Sequence, residues 1–145
     1  MNGSMSYKER NQGINLGEQL FEDYCKARGY KVVRVGFDEK NNPIDGYYKL
    51  PYFVRNLPDY LVIRDDKMFL VMVKGTANLK KTEVDQIPFF LENYSSKDCR
   101  LLYAFCFAEK EKPLFITPDR VIELYQQESD KQWNDGKIYR TLRFD

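Results

Sequence analysis

The stretch Leu57-Pro58-Asp59-Tyr60-Leu61-Val62-Ile63-Arg64-Asp65-Asp66-Lys67-Met68-Phe69-Leu70-Val71-Met72-Val73-Lys74 limits the folds open to this chain more than any other. Residues 60–64 and 68–74 are dense in β-branched, aromatic and aliphatic side chains, which pack well on a pleated surface. Asp65, Asp66 and Lys67 between them supply turn chemistry. The stretch therefore reads as a β-hairpin. With Asp66 and Lys67 as the central turn residues, Asp59 falls opposite Lys74, at the open end. Side chains alternate along a strand, so Asp59, Met72 and Lys74 share a face, and Leu61, Ile63 and Leu70 between them are apolar. Two charges at the end of an apolar face are out of place in a plain core hairpin.

The surroundings supply the rest of an α/β domain. Leu16, Leu20, Phe21, Tyr24, Cys25 and Ala27 fall at helical spacing, and Gly29 is placed to end that helix as its C′ residue. The pattern predicts a helix from about Asn15, with residues 1–12 as a polar tail and residues 13–145 as one domain. A strand over residues 31–35 follows. Residues 37–56 are irregular, and their second half interleaves aromatic and basic side chains: Tyr47, Tyr48, Lys49, Tyr52 and Arg55. Aromatic faces stack on bases and cations meet phosphates, so these five are candidates for nucleic-acid contact. The alternative is a loop whose aromatics pack onto the sheet. After a turn at 75–78, a helix is expected over residues 82–94, with Pro88 kinking it or lying in its first turn. Residues 100–107 are nearly all apolar and suit a buried central strand. A short strand at 114–116, a helix capped by Thr117 with Pro118 at N1, and an edge strand over 137–144 complete the chain.

Composition narrows the chemistry. With 145 residues, 43% hydrophobic and 31% charged, the chain suits one soluble domain with a real core. No apolar run approaches the roughly 18 residues that span a membrane. No signal-peptide pattern opens the chain. Cys25, Cys99 and Cys106 lie among apolar neighbours and read as reduced, buried thiols of a cytoplasmic protein. There is no His, which removes triad and His-based acid–base chemistry, and without a CxxC pair a zinc site is not expected. A net charge of +1 gives no global basic signature, so any nucleic-acid surface must be a local patch.

Pro58-Asp59, then a hairpin, then Met72-Val73-Lys74-Gly75 resembles the PD-(D/E)XK nuclease superfamily, which includes restriction-endonuclease-like, Holliday-junction-resolvase-like and VRR-NUC-like domains. Their pattern is Pro-Asp on one strand, then an acidic residue, any residue and Lys on the next. The order helix, strand, hairpin, helix, strand over residues 15–107 is similar to that superfamily's αβββαβ core, a mixed central sheet flanked by helices. Glu18, eleven positions before Gly29, resembles the Glu of the family's first helix, and Gln86 resembles a Gln of the helix after the hairpin. Glu18 also fits a capping box begun by Asn15.

The resemblance implies a nuclease that uses Mg²⁺ or Mn²⁺ to hydrolyse phosphodiesters, DNA ahead of RNA, with no membrane partner and room for a homodimer. Asp59 and the Val73 carbonyl would hold the ion, Lys74 would position the attacking water, and Glu18 and Gln86 would assist. The acidic position, however, is Met72, and a neutral thioether does not suit a hard cation. Three readings follow. The carboxylate has migrated to the next helix, as Glu83 or Asp85. Or the site is degenerate, and the domain binds nucleic acid or a protein without cutting. Or residue 72 has been changed from the natural one. Met72 is also an ordinary core residue between two valines, and Asp59 could simply be an edge Asp paired to Lys74.

Overall fold

The computed structural model describes residues 7–36, 46 and 49–144, with side chains from residue 16 onward. Helix α1 (Tyr7–Ala27) leads through Gly29, at φ +73°, into β1 (Lys31–Arg34). A single turn of helix, α2 (Tyr52–Arg55), precedes the hairpin β2 (Tyr60–Arg64) and β3 (Lys67–Lys74). Then come β4 (Asn78–Lys80), the short helices α3 (Lys81–Asp85) and α4 (Ile87–Tyr94), and β5 (Cys99–Phe105). The chain ends with β6 (Leu114–Ile116), α5 (Pro118–Gln126), β7 (Lys131–Gln132) and β8 (Ile138–Thr141).

The architecture is α/β. A five-stranded mixed sheet runs in the order β1-β2-β3-β5-β6, with helices on both faces, and a small sheet β4-β8-β7 lies beside it. Among the described residues only β3 and β5 pair in parallel, and α3 and α4 make the crossover that a parallel pair requires. Alternation along β3 and β5 divides two cores. Val71, Val73, Ala104 and Cys106 pack with Tyr60 and Val62 against Phe21 and Cys25 of α1. On the other face Tyr103 and Phe105 join Leu79, Ile87, Val121, Leu124 and Leu142. Among the described residues no helix is long and apolar enough to cross a membrane.

Several sequence expectations are corrected. The first helix begins at Tyr7, not near Asn15, so it takes in half of the expected tail. Asn15 is then a helix-interior residue and cannot cap, which removes the capping-box account of Glu18. The hairpin pairs Arg64 with Lys67 and Tyr60 with Val71, so the turn residues are Asp65 and Asp66, and Asp65 takes a positive φ of 56°. Asp tolerates that conformation better than most residues. Asp59 therefore continues opposite Met72, not Lys74. The slip is two residues, an even number, so the facing of Asp59, Met72 and Lys74 survives. The expected helix 82–94 is broken at Gln86, and Pro88 lies in the first turn of α4. The late strand lies in the middle of the small sheet, not at an edge. Cys25 and Cys106 are buried free thiols as expected, whereas Cys99 is half-buried.

Candidate functional site

The site forms where β3 ends beside β5 and the chain turns back into α3. Asp59 and Lys74 arrive on neighbouring strands, and α3 adds Glu83. Lys74 Nζ lies 2.9 Å from Glu83 Oε1. The other oxygen of Glu83 accepts from the Lys80 backbone N–H at 2.9 Å, which locks the first turn of α3 to β4. Asp59 Oδ2 accepts from the Val73 backbone N–H at 2.8 Å. The carboxyl thus lies against the peptide that joins Met72 to Val73.

Electrostatics separate the two carboxyls. Burial pushes Asp59 up to about 6, against the opposing pull of the Val73 hydrogen bond and Lys74. Glu83 is also penalised by burial, but Lys74 and the Lys80 N–H outweigh this and hold it below its ordinary value. For Lys74, burial works against the charge, and Glu83, Tyr103 and Asp59 more than reverse it, so its pKa is raised. Lys74 is consequently an ammonium at neutral pH.

Tyr103 is a member that sequence reasoning missed. It lies beside Met72 in the β3–β5 register and is buried. Burial pushes its hydroxyl up to about 12, Lys74 opposes, and Glu83 and Asp59 push with it, so the three site charges all act on this ring. The available signal was the alternation of residues 100–107 once β5 is known to pair with β3.

Glu83 and Asp85 are separated clearly. Glu83 meets Lys74, whereas Asp85 is exposed and pairs with Lys81 at 2.8 Å. Glu18 is buried, and its Oε2 meets Arg34 at 2.9 Å. Arg34 also approaches Glu22 at 3.6 Å and donates to the Tyr60 hydroxyl at 2.5 Å, and that hydroxyl donates to Glu22 at 2.6 Å. Glu18 thus belongs to a network joining α1, β1 and β2, and its field still reaches Asp59. Gln86 is the residue between α3 and α4, half-buried, with its backbone bonded to Thr82 and Phe90.

Of the aromatic–basic segment, Tyr47 and Tyr48 lie outside the described residues. Lys49 is exposed. Tyr52, 44% exposed, packs edge-on against Phe89 of α4 at 5.0 Å, and the Phe53 carbonyl accepts from the Tyr94 hydroxyl. Arg55 is half-buried at the end of α2. Tyr52 therefore packs on α4 while remaining partly open to solvent, and Lys49 is exposed.

No protein-family model matches this chain, and no curated protein matches it either.

A divalent ion has a limited donor set here. No group of three or more His, Cys, Asp or Glu side chains capable of holding a metal occurs among the described residues. Mg²⁺, however, is usually held by one or two carboxylates, with waters and substrate phosphate completing the shell. Asp59 fits that role. It is a half-buried carboxyl with one hydrogen bond, from an amide, and no cation in hydrogen-bond contact among the described residues. Glu83 fits it only if it shares itself with Lys74.

Proposed function

We propose that the chain is a metal-dependent nuclease-like domain of restriction-endonuclease-like fold, which hydrolyses phosphodiester bonds, DNA ahead of RNA. The observation that carries this reading is Glu83. A carboxylate supplied by the helix after the hairpin stands 2.9 Å from Lys74, on the face where the motif's acidic residue is replaced by Met72. It supports the migrated-carboxylate reading and favours Glu83 over Asp85.

In this reading Asp59, Glu83 and the Val73 carbonyl would hold Mg²⁺ or Mn²⁺. When bound, such an ion polarises the scissile phosphate and makes water more acidic. The chain's own residues do the rest. The raised pKa of Lys74 excludes it as a general base at neutral pH in the Glu83-paired state. It acts instead as a fixed positive charge that offsets negative charge developing on the phosphate. The field of the Arg34–Glu18 pair and the Val73 N–H orient and tune Asp59. Lys49, Tyr52 and Arg55 are the candidates for strand contact, where cations meet phosphates and rings stack on bases.

A second reading is favoured by Met72 and by the completeness of the Lys74–Glu83 pair. A nuclease-fold domain that binds nucleic acid or a protein without cutting needs nothing more.

Cleavage of plasmid, single-stranded and branched DNA in Mg²⁺ and in Mn²⁺ distinguishes the two. The chain is expected to cut, and Lys74→Ala and Glu83→Gln are each expected to lose about a hundredfold or more. Cutting by Met72→Glu alone would establish the second reading. If no variant cuts and none binds DNA, the nuclease reading and the nucleic-acid form of the second reading both fail.

A further inference from the structure

On the α1 face of the main sheet, at the end away from Lys74, a hollow of about 360 Å³ opens between α1 and the strands. Its floor is Val62, Phe69, Val71 and Leu102, and rings from α1 and from Phe115 of β6 form its walls. Phe115 is 40% exposed. Tyr24 and Phe21 lie against it at 6.0 and 6.3 Å between ring centres. Such a volume is at the small end of the range for ligand pockets, and an apolar lining with a few polar groups is their usual character.

Cations of the sheet gather on one side of it. Arg64 pairs with Lys67 across the hairpin, Val62 with Phe69, and Phe69 with Arg100. Cross-strand partners share a face, so Arg64, Lys67 and Arg100 stand on the same face as the apolar floor, beyond Phe69. Phe69 also lines the adjoining hollow of about 290 Å³, where Lys67, Lys97 and Arg100 stand with Asp66 and Asp98. Cations outnumber carboxylates on this rim. Arg64, Lys67, Lys97 and Arg100 are exposed, and none forms an ion pair among the described residues. Arg64 lies over the Tyr30 ring, at 5.5 Å.

We infer that this hollow is a binding site for a small amphipathic carboxylate, with its aliphatic or aromatic body on the Val62–Phe69–Leu102 floor and its anionic head at Arg64 and Arg100. The pocket is too small for a polymer and its floor has no hydrogen-bonding groups for a sugar or base edge. A neutral apolar molecule would leave the cationic rim unused. The site is independent of the Asp59–Lys74 centre, which lies at the other end of β3.

Calorimetric titration of the intact chain with decanoate, and with decanol as the uncharged counterpart, tests this. Decanoate should bind saturably, one per chain, and decanol about tenfold more weakly or worse. Arg64→Gln combined with Arg100→Gln should weaken decanoate about tenfold and leave decanol unchanged. Both positions are exposed, so the variant should retain the fold, as circular dichroism would verify. Leu102→Trp, which fills the floor, should abolish binding of both. The inference is overturned if decanoate shows no saturable binding, if decanol binds equally well, or if the charge variant leaves decanoate binding unchanged.

Discussion

At the scale of single residues, Asp59 and Glu83 are opposites, and acid separates them. An unperturbed Asp titrates near 4, whereas burial moves Asp59 to about 6. Between these values the folded chain holds a proton that the unfolded chain has lost. Asp59 therefore favours folding most below about pH 4, and its contribution falls as pH rises to about 6. Above that, the fold carries a half-buried, poorly compensated charge. Asp59→Asn keeps an acceptor for the Val73 N–H and removes the charge. It should stabilise the fold by about 1–2 kcal/mol at pH 7, change little at pH 4, and abolish cleavage. Urea midpoints at the two pH values check this, and equal shifts at both would exclude the assigned charge state. Glu83 runs the other way. Its lowered pKa gives stability that is present above its unfolded value and lost as pH falls through its folded one. Lys74→Met should therefore cost about 1 kcal/mol at neutral pH, a modest figure because Glu83 is partly exposed, and less in acid.

At the scale of elements, α1 is placed by a close approach rather than by propensity. A Cβ on Gly17 would come within 2.7 Å of the Gly75 backbone and 3.2 Å of the Cys106 carbonyl. Both contacts are main chain and cannot swing aside. Gly17→Ala should push α1 off the end of β3, cost about 1–3 kcal/mol, and disturb Glu18 beside it. A thermal melt measures the first effect, and weakened Arg34–Glu18 coupling in a double-mutant cycle measures the second. Gly17 looked like part of a helix start in the sequence, because Asn15 and Glu18 mimic a cap. The cap signal is overridden by the helix extending back to Tyr7, and the reason for glycine at 17 lies in Gly75, far along the chain. The hairpin, by contrast, was legible from side-chain types alone, but its register was not. Asp65-Asp66-Lys67 offers two turn placements of similar chemistry, and only the strand pairing selects between them. The facing of the site residues survived because the error was even. Glu83 could be named from the sequence only as one of two carboxylates, since helix phase near a break at Gln86 cannot be read from five residues. Of the small sheet only β8 was legible, within the strand expected over residues 137–144, because strands as short as β4 and β7 carry no period.

At the scale of the whole molecule, that small sheet decides whether the site holds together. β4 pairs only with β8, from Asn78 opposite Thr141 to Lys80 opposite Tyr139. The Leu142 N–H donates to Ala77, and Thr141 Oγ1 meets Asn78 Oδ1 at 2.7 Å. Lys80 at the end of β4 in turn gives its N–H to Glu83, and Glu83 meets Lys74. A C-terminal strand thus fixes a carboxylate that the hairpin cannot supply for itself. Leu142 anchors that strand at 3% exposure, in the cluster with Leu79 and Val84. Leu142→Ala should cost about 2–4 kcal/mol as a core truncation. The loss should not be spread evenly. Amides of residues 78–83 should exchange faster, because their partner strand has lost its anchor. Those of β2 and β3 should keep their protection, since their other face packs on Phe21 and Cys25 of α1. Residual cleavage should fall with the protection of Lys80, and Glu83→Gln placed on top of Leu142→Ala should then cost less than it does alone. Uniform loss of protection across both sheets would instead mean that the two unfold as one unit, and that the link from β8 to Glu83 carries nothing of its own.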